Sequence, residues 1–260
     1  MHIETIGVTA TAPGASGAAA AAVAGDSLIV KNGKRPRILN TWADFQGTGW
    51  MQIVFPTGHD TTRNWRNPVV ASEVTSRMPF GLAMDLTPQE QMAITFAGSA
   101  TSGDIENACL LMAYDEMPGS EQHLMSWDEV ERRAYKLTTV QYTLDITAGG
   151  AWNGSEAINA DSDLLLANRN YALIGIELQT ECCAVSIKGP DTAGVRMAVP
   201  GSTEFADQSS QYFGLLSRAF GNLKCIPVIN SANKANTLLE GLQDENIADI
   251  TASLQLVLLT

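Results

Sequence analysis

Apolar and polar side chains alternate over long stretches of the second half of this chain. Between residues 137 and 147, every second residue from Val140 to Ile146 is apolar, while the residues between them are Gln, Thr and Asp. A period of two predicts a strand with one buried face and one wet face. Similar patterns predict further strands at 171–179, 182–188, 195–199, 224–229 and 250–258.

The first half of the chain is less regular. Shorter apolar runs predict strands there, and long loops join them. These candidate strands are residues 37–45, 50–55, 69–74, 92–96 and 108–114.

Two segments have the period of a helix. Ser126 and Glu129 have the spacing of a capping box, which predicts a helix from Trp127 to about Tyr135. Apolar residues at helical spacing in 209–220 predict a second, amphipathic helix that packs on the second half.

A faint internal repeat organises the chain. Residues 104–112 and 249–257 both begin with Asp-Ile and continue as a strand-like run. An apolar run precedes each copy, at 92–96 and at 238–242. We therefore expect a mainly β protein with two tandem antiparallel β-sandwiches. The predicted division is a flexible N-terminal arm at 1–27, a first sandwich at 28–119, a linker with a short helix at 120–136, and a second sandwich at 137–260.

The composition limits the classes of function. Charged residues make up 17% of the chain and apolar residues 45%, so uncharged polar and small side chains must cover much of the surface. Such a surface suits a subunit that is covered by copies of itself, although a neutral-looking monomeric sandwich is the simpler interpretation. The net charge of −12 argues against a general nucleic-acid binder, which needs a basic face.

One basic cluster stands apart from this acidity. Four positive charges fall within seven residues, in a loop that contains Gly and Pro before the first predicted strand. They are candidates for contact with phosphate, with anionic lipid headgroups or with an acidic inner partner, and the alternative is a solvated turn. The four residues are Lys31, Lys34, Arg35 and Arg37.

Catalytic and metal-binding patterns are sparse. His2, His59 and His123 are isolated in sequence, and no glycine-rich segment has the context of a phosphate loop. Clustered carboxylates such as Asp244 and Glu245 are typical of turns between strands. The four cysteines lack metal-binding spacing and fit a reducing compartment. We therefore predict no catalytic residue, no cofactor and no metal, and hence no enzyme.

The arrangement as a whole resembles the tandem jelly-roll major capsid proteins of tailless viruses, especially the compact phage versions. The resemblance covers residues 28–260 and lies in architecture: two consecutive β units, a helix-bearing linker, a small-residue N-terminal arm and a surface of low charge. It implies sandwiches of jelly-roll type and a trimeric building block with a pseudo-sixfold outline. It also implies an N-terminal arm that faces inward, towards lipid or genome.

Three functions follow as hypotheses. The first is a self-assembling structural protein of a virion shell, located in the virion and assembled in the host cytoplasm, with itself and other virion proteins as partners. The alternative is a β-sandwich binding module for carbohydrate or a cell surface, as in a spike or decoration protein, with an exposed aromatic platform that includes Trp152. The third is an enzyme whose site the fold assembles around His59 or His123.

Overall fold

Strands dominate the molecule. The computed structural model describes residues 1–14, 20–21, 23–24, 28–56, 65–71, 73–76, 81–158, 165–202, 206–245 and 247–260. In this part of the chain, nineteen strands form four antiparallel sheets, which pair into two units.

The first unit contains strands β1 to β10. Their bounds are β1 (His2–Pro13), β2 (Ala20–Ala21), β3 (Val23–Ala24), β4 (Arg37–Phe45), β5 (Gly49–Val54), β6 (Trp65–Val69), β7 (Thr75–Ser76), β8 (Met84–Asp85), β9 (Ala93–Ala97) and β10 (Ser102–Tyr114). Sheet 1 has the order β3-β1-β10-β4-β7, with β8 also paired to β4, and sheet 2 has the order β2-β9-β5-β6.

The second unit contains the later strands. Their bounds are β11 (Leu124–Met125), β12 (Ala134–Ile146), β13 (Asn153–Ala157), β14 (Asn170–Leu178), β15 (Cys182–Lys188), β16 (Met197–Gly201), β17 (Ile226–Asn230), β18 (Leu238–Leu242) and β19 (Ile247–Leu259). Sheet 3 has the order β11-β17-β14-β19-β12, and sheet 4 has the order β13-β18-β15-β16.

Both units follow one strand order. When the short strands β3, β8 and β11 are set aside, each unit has eight strands among the described residues. One sheet then contains the first, eighth, third and sixth strands in that order, and the other contains the second, seventh, fourth and fifth. This is the order of a jelly roll. The predicted fold class, mainly β with two antiparallel sandwiches of jelly-roll type, is confirmed.

The internal repeat marks equivalent strands. Residues 104–112 lie in β10 and residues 249–257 lie in β19, and each strand is the eighth of its unit. The apolar runs before them form β9 and β18, the seventh strand of each unit. The sequence similarity therefore coincides with a structural repeat.

Sheet 1 is buried on both faces. Phe45 and Leu110 point into the core of the first unit, whereas Trp42 and Leu111 join the core that also fills the second unit. All nine residues of β4 are buried for this reason. β1, β4 and β10 contact β15 and β16, so the four sheets stack in the order 2, 1, 4, 3. One apolar core therefore extends from this face of sheet 1 through the second unit, while a separate core fills the first unit.

Helices pack against sheet 3. They are α1 (Trp127–Arg133), α2 (Ala206–Ser209) and α3 (Tyr212–Ala219), and both α2 and α3 contact β14. The Ser126 backbone N–H donates to the Glu129 carboxylate over 2.9 Å, as the predicted capping box requires. Gly175 in β14 permits the close approach of α2, because any side chain there would collide with the Ser209 carbonyl. None of the helices in the described residues has the length and apolar character to span a bilayer.

The prediction of a flexible arm at 1–27 is wrong for the first half of that segment. Residues 2–13 form β1, which lies between β3 and β10 inside sheet 1, so the first unit begins at residue 2 and not at residue 28. Ile6, Val8 and Ala10 alternate with Gly7 and Thr9, so this segment carries a short period-two signal. The remainder of the predicted arm lies partly outside the described residues. The prediction of only five strands in the first half is also wrong.

Candidate functional site

The four predicted basic residues lie on the first unit, beside β4 and before it. Lys34 and Arg35 are exposed, whereas the Arg37 side chain is only 9% exposed. Each of the four pairs with a carboxylate. The pairs are Lys31 with Glu4, Lys34 with Glu116 (3.4 Å), Arg35 with Asp85 (3.9 Å) and Arg37 with Asp115 (2.7 Å).

These pairs balance the charge of the basic cluster. The exposed pairs of Lys34 and Arg35 contribute little to stability, because water screens them. The Arg37 guanidinium, by contrast, also donates to the Arg35 carbonyl and anchors the loop to β4. The structure thus gives these residues a role in the first unit, and their contact with phosphate, lipid or an inner partner stays a prediction.

Glu4 is a buried carboxylate that the sequence analysis did not single out. Glu4 is 5% exposed and lies on β1, next to His2 and Lys31. Burial opposes its ionisation, but the hydrogen bond from the Lys31 ammonium and the nearby His2 imidazole outweigh that effect and hold the pKa of Glu4 below its ordinary value. Lys31 therefore ties the loop before β4 to the N-terminal strand.

Polar contacts connect the two units across sheets 1 and 4. The Thr5 backbone N–H donates to the Arg196 carbonyl over 2.8 Å, and the Thr5 hydroxyl accepts from the Ala198 N–H over 2.9 Å. The Trp42 indole N–H donates to the Cys183 carbonyl over 2.9 Å. Because these groups are buried, each bond satisfies a donor that would otherwise be left without a partner. The units are consequently joined by specific bonds as well as by apolar packing.

A cavity of about 200 Å³ opens at the margin of this junction, between β1 and the connection from β15 to β16. Lys31, Lys188 and Arg196 line it together with Glu4. The Arg196 guanidinium pairs with Glu240 over 2.7 Å and lies 5.3 Å from the centre of the Trp152 ring. Its positive charge is thus already balanced inside the protein.

Trp152 does not form an exposed platform. The side chain is partly buried, packs against the core and lies against Gly7, which has no side chain to exclude it. Because the predicted carbohydrate-binding module required an exposed aromatic surface at this residue, the geometry does not favour that function.

An acidic cluster lies where β4 ends against the second unit. Asp44 is 3% exposed and pairs across the sheet with Asn107, on the face of sheet 1 that meets sheet 4. Burial, and then the negative charges of Asp244, Glu181 and Glu245, raise the pKa of Asp44 to about 7. No ion pair reaches Asp44 from any cation in the described part of the chain. The junction therefore contains a carboxylate that titrates near neutral pH.

Asp44 could have been noticed in the sequence. It lies inside the run 37–45, in which residues of both parities are apolar, so a carboxylate there had to be buried. Its acidic neighbours come from connections far along the chain, between β14 and β15 and between β18 and β19. No local pattern links those segments to Asp44.

Two of the isolated histidines lie in the described part of the chain. His2 is buried in β1 with its Nδ1 2.8 Å from the Ser120 hydroxyl, and His123 lies before β11. His59 lies outside the described residues. In the ranges that the structure describes, no three His, Cys, Asp or Glu side chains are grouped as metal ligands. The absence of catalysis stays a prediction.

The cysteines match the expectation of reduced thiols. All four are free and buried. Burial raises the pKa of the Cys182 and Cys225 thiols well above the ordinary range, so neither ionises at neutral pH. These thiols act as small apolar core groups.

Several large apolar side chains face solvent. Their exposed fractions run from 38% to 73%. The highest value belongs to Tyr135, and Leu137 lies two residues further along the same strand, β12. The set comprises Ile29, Val70, Leu82, Tyr135, Leu137 and Leu166.

No protein-family model matches the chain, and the curated proteins contain no significant match to it. Among solved structures, the PBSX exported protein XepA is similar at 10% identity and a TM-score of 0.31, over 98% of this chain and 86% of that one. The major capsid protein P2 from bacteriophage PM2 is similar at 9% identity and a TM-score of 0.25, over 99% and 97% of the two chains. The STIV MCP is similar at 8% identity and a TM-score of 0.21, over 100% and 97%. Solved neighbours thus include capsid proteins, but TM-scores this low carry no functional inference.

Proposed function

We propose that this chain is a structural subunit of a virion shell and that it acts by packing against copies of itself, without catalysis. The observation that carries the proposal is the pair of jelly rolls with one strand order, joined through sheets 1 and 4 by a continuous core. Close-packed interiors resist deformation. A subunit that tiles a surface needs such rigidity, because every neighbouring subunit must contact surfaces of the same shape.

The internal repeat supports a particular symmetry. Each chain contains two equivalent units, so three chains around a threefold axis present six similar units. A sixfold outline fills a surface without gaps. We therefore propose a trimer as the building block, with other virion proteins as further partners and with lipid or genome on its inner side.

The surface composition agrees with a subunit that is closely surrounded by other subunits. Only 17% of residues are charged, and a solitary protein usually relies on more charge for solubility. The four free, buried cysteines are compatible with assembly in a reducing host cytoplasm before the subunit enters the virion.

The test is the mass of the purified chain in solution. Size-exclusion chromatography with light scattering across a range of protein concentrations is expected to show oligomers above 27.7 kDa, and electron microscopy is expected to show shells or sheets. A protein that stays at 27.7 kDa at every concentration contradicts the proposal. In that case a glycan array would test the remaining hypothesis of a binding module.

A further inference from the structure

Three cationic side chains and one carboxylate line the cavity beside β1. Segments from three parts of the chain enclose it: β1, the loop before β4, and the end of β15 with the connection that follows. Its volume is about 200 Å³, and it is open to solvent. A space of this size admits a small ion or the polar head of a larger molecule. The charged lining residues are Lys31, Lys188, Arg196 and Glu4.

The charges around the cavity do not cancel. The Lys31 ammonium is bonded to the Glu4 carboxylate, and the Arg196 guanidinium pairs with Glu240 over 2.7 Å. Lys188 forms no ion pair with any residue that the structure describes. Three positive groups and two negative groups leave a surplus of positive charge here, in a chain whose net charge is −12. The surplus belongs to Lys188.

The fold holds the cationic residues in place. Lys188 is the last residue of β15 and lies opposite Leu238 of β18. The Arg196 carbonyl accepts from the Thr5 N–H over 2.8 Å, which fixes the connection against β1. Only 20% of the Arg196 side chain is exposed. Positive groups that are fixed in advance and partly shielded from water bind an anion with less loss of entropy and less screening than mobile surface lysines.

A phosphate group matches this arrangement better than a carboxylate does. Phosphate is negatively charged at neutral pH, and its oxygens accept hydrogen bonds from several directions. Lys31 approaches from the first unit, whereas Lys188 and Arg196 belong to the second. The two oxygens of a carboxylate lie in one plane with their carbon, so a carboxylate would reach fewer of these cations. Arginine and lysine are also the side chains that proteins commonly use to bind phosphate.

From the three cations around one cavity, the unpaired Lys188 and the size of the space, we propose that this cavity binds a phosphate group. The group is a free phosphate ion or the head of an anionic lipid, because both present the same oxygens. Lys31 is one of the four basic residues that the sequence analysis selected, and the fold brings it together with two cations from distant segments. The site lies within one chain and does not depend on the proposed function.

The experiment measures binding of inorganic phosphate by phosphorus NMR at pH 7, with sodium chloride used to keep the ionic strength constant. Lys188→Met removes the surplus charge but keeps an unbranched apolar side chain, and Lys188→Arg keeps the charge. Lys234→Met is the matched control, because Lys234 is also a partly exposed lysine of the second unit and does not line the cavity. Lys31 and Arg196 are left unchanged, since each neutralises a carboxylate. Circular dichroism and the melting temperature without phosphate confirm that each variant is folded.

The wild type is expected to bind phosphate in the millimolar range, and Lys188→Met is expected to weaken binding at least about tenfold. Lys188→Arg and Lys234→Met should each stay within about twofold of wild type. A wild type that binds no phosphate refutes the site, and so does a Lys188→Met variant that binds as tightly as wild type. Equal weakening by Lys188→Met and Lys234→Met also refutes it, because loss of any positive charge then accounts for the effect.

A second measurement identifies the source of the phosphate group. The wild type is sedimented with vesicles of phosphatidylglycerol and phosphatidylcholine, and with vesicles of phosphatidylcholine alone. Binding to the first vesicles that inorganic phosphate competes away supports the site with a lipid headgroup as ligand, whereas binding of inorganic phosphate without vesicle binding supports it with the free ion. Phosphate binding is measured whether the protein is monomeric or assembled, so failure of the site leaves the shell hypothesis standing, and a monomeric protein leaves the site testable.

Discussion

Replacement of Asp44 by Asn tests the electrostatics of the junction between the units. The carboxylate is 3% exposed and faces Asp244, Glu181 and Glu245 of the second unit. Its amide counterpart has nearly the same shape and cannot ionise. We therefore expect the substitution to change how stability depends on pH while it preserves the packing of β4.

The sign follows from the raised pKa. Burial and the acidic neighbours raise the pKa of Asp44 from 3.8 to about 7, so between these values the folded protein holds a proton that the unfolded chain releases. The wild type consequently loses stability as the pH rises through this window, and the full shift corresponds to a loss on the order of 4 kcal/mol. In the Asp44→Asn variant this contribution is absent. Relative to wild type, the variant should gain about 2 to 3 kcal/mol between pH 5 and pH 8.

Urea unfolding at pH 5 and pH 8, at one fixed protein concentration, measures this difference. Glu131→Gln is the matched control, because it removes an exposed carboxylate and should change stability by less than about 0.5 kcal/mol at either pH. If Asp44→Asn differs from wild type by the same amount at both pH values, Asp44 does not titrate near neutral pH and the reasoning about the acidic cluster is wrong.

Two further predictions concern the connection between the units. Trp42→Phe keeps an aromatic ring in the core but leaves the buried Cys183 carbonyl without its donor, so calorimetry should show a loss of about 1 to 3 kcal/mol; a change below about 0.5 kcal/mol would refute that role. Deletion of residues 1–13 removes a central strand of sheet 1, so we expect loss of soluble, cooperatively melting protein. A truncated chain that melts like the wild type would instead restore the interpretation of this segment as a flexible arm.

The sequence analysis did not predict β1 but did predict β10 and β19, and one physical reason explains the difference. β19 has an apolar residue at every second position from Ile250 to Leu258, and β10 has a continuous apolar run from Ala108 to Tyr114 because both of its faces are buried. β1 presents Thr5, Gly7 and Thr9 to the second unit, where close approach and hydrogen bonds to Ala198 and Gly150 take the place of apolar bulk. A local pattern detects burial through hydrophobicity and therefore misses burial through hydrogen bonds.

Local sequence determined most of the strands, the capping box of α1 and the repeat that marks the seventh and eighth strands of each unit. These features depend on residues close together in the chain, so their period or spacing can be recognised in the sequence itself. Tertiary structure alone decided that sheet 1 is buried on both faces, that the four basic residues are each paired, and that Asp44 meets three distant carboxylates. Each of these depends on contacts between segments far apart in the chain, whose proximity arises only when the two jelly rolls pack together.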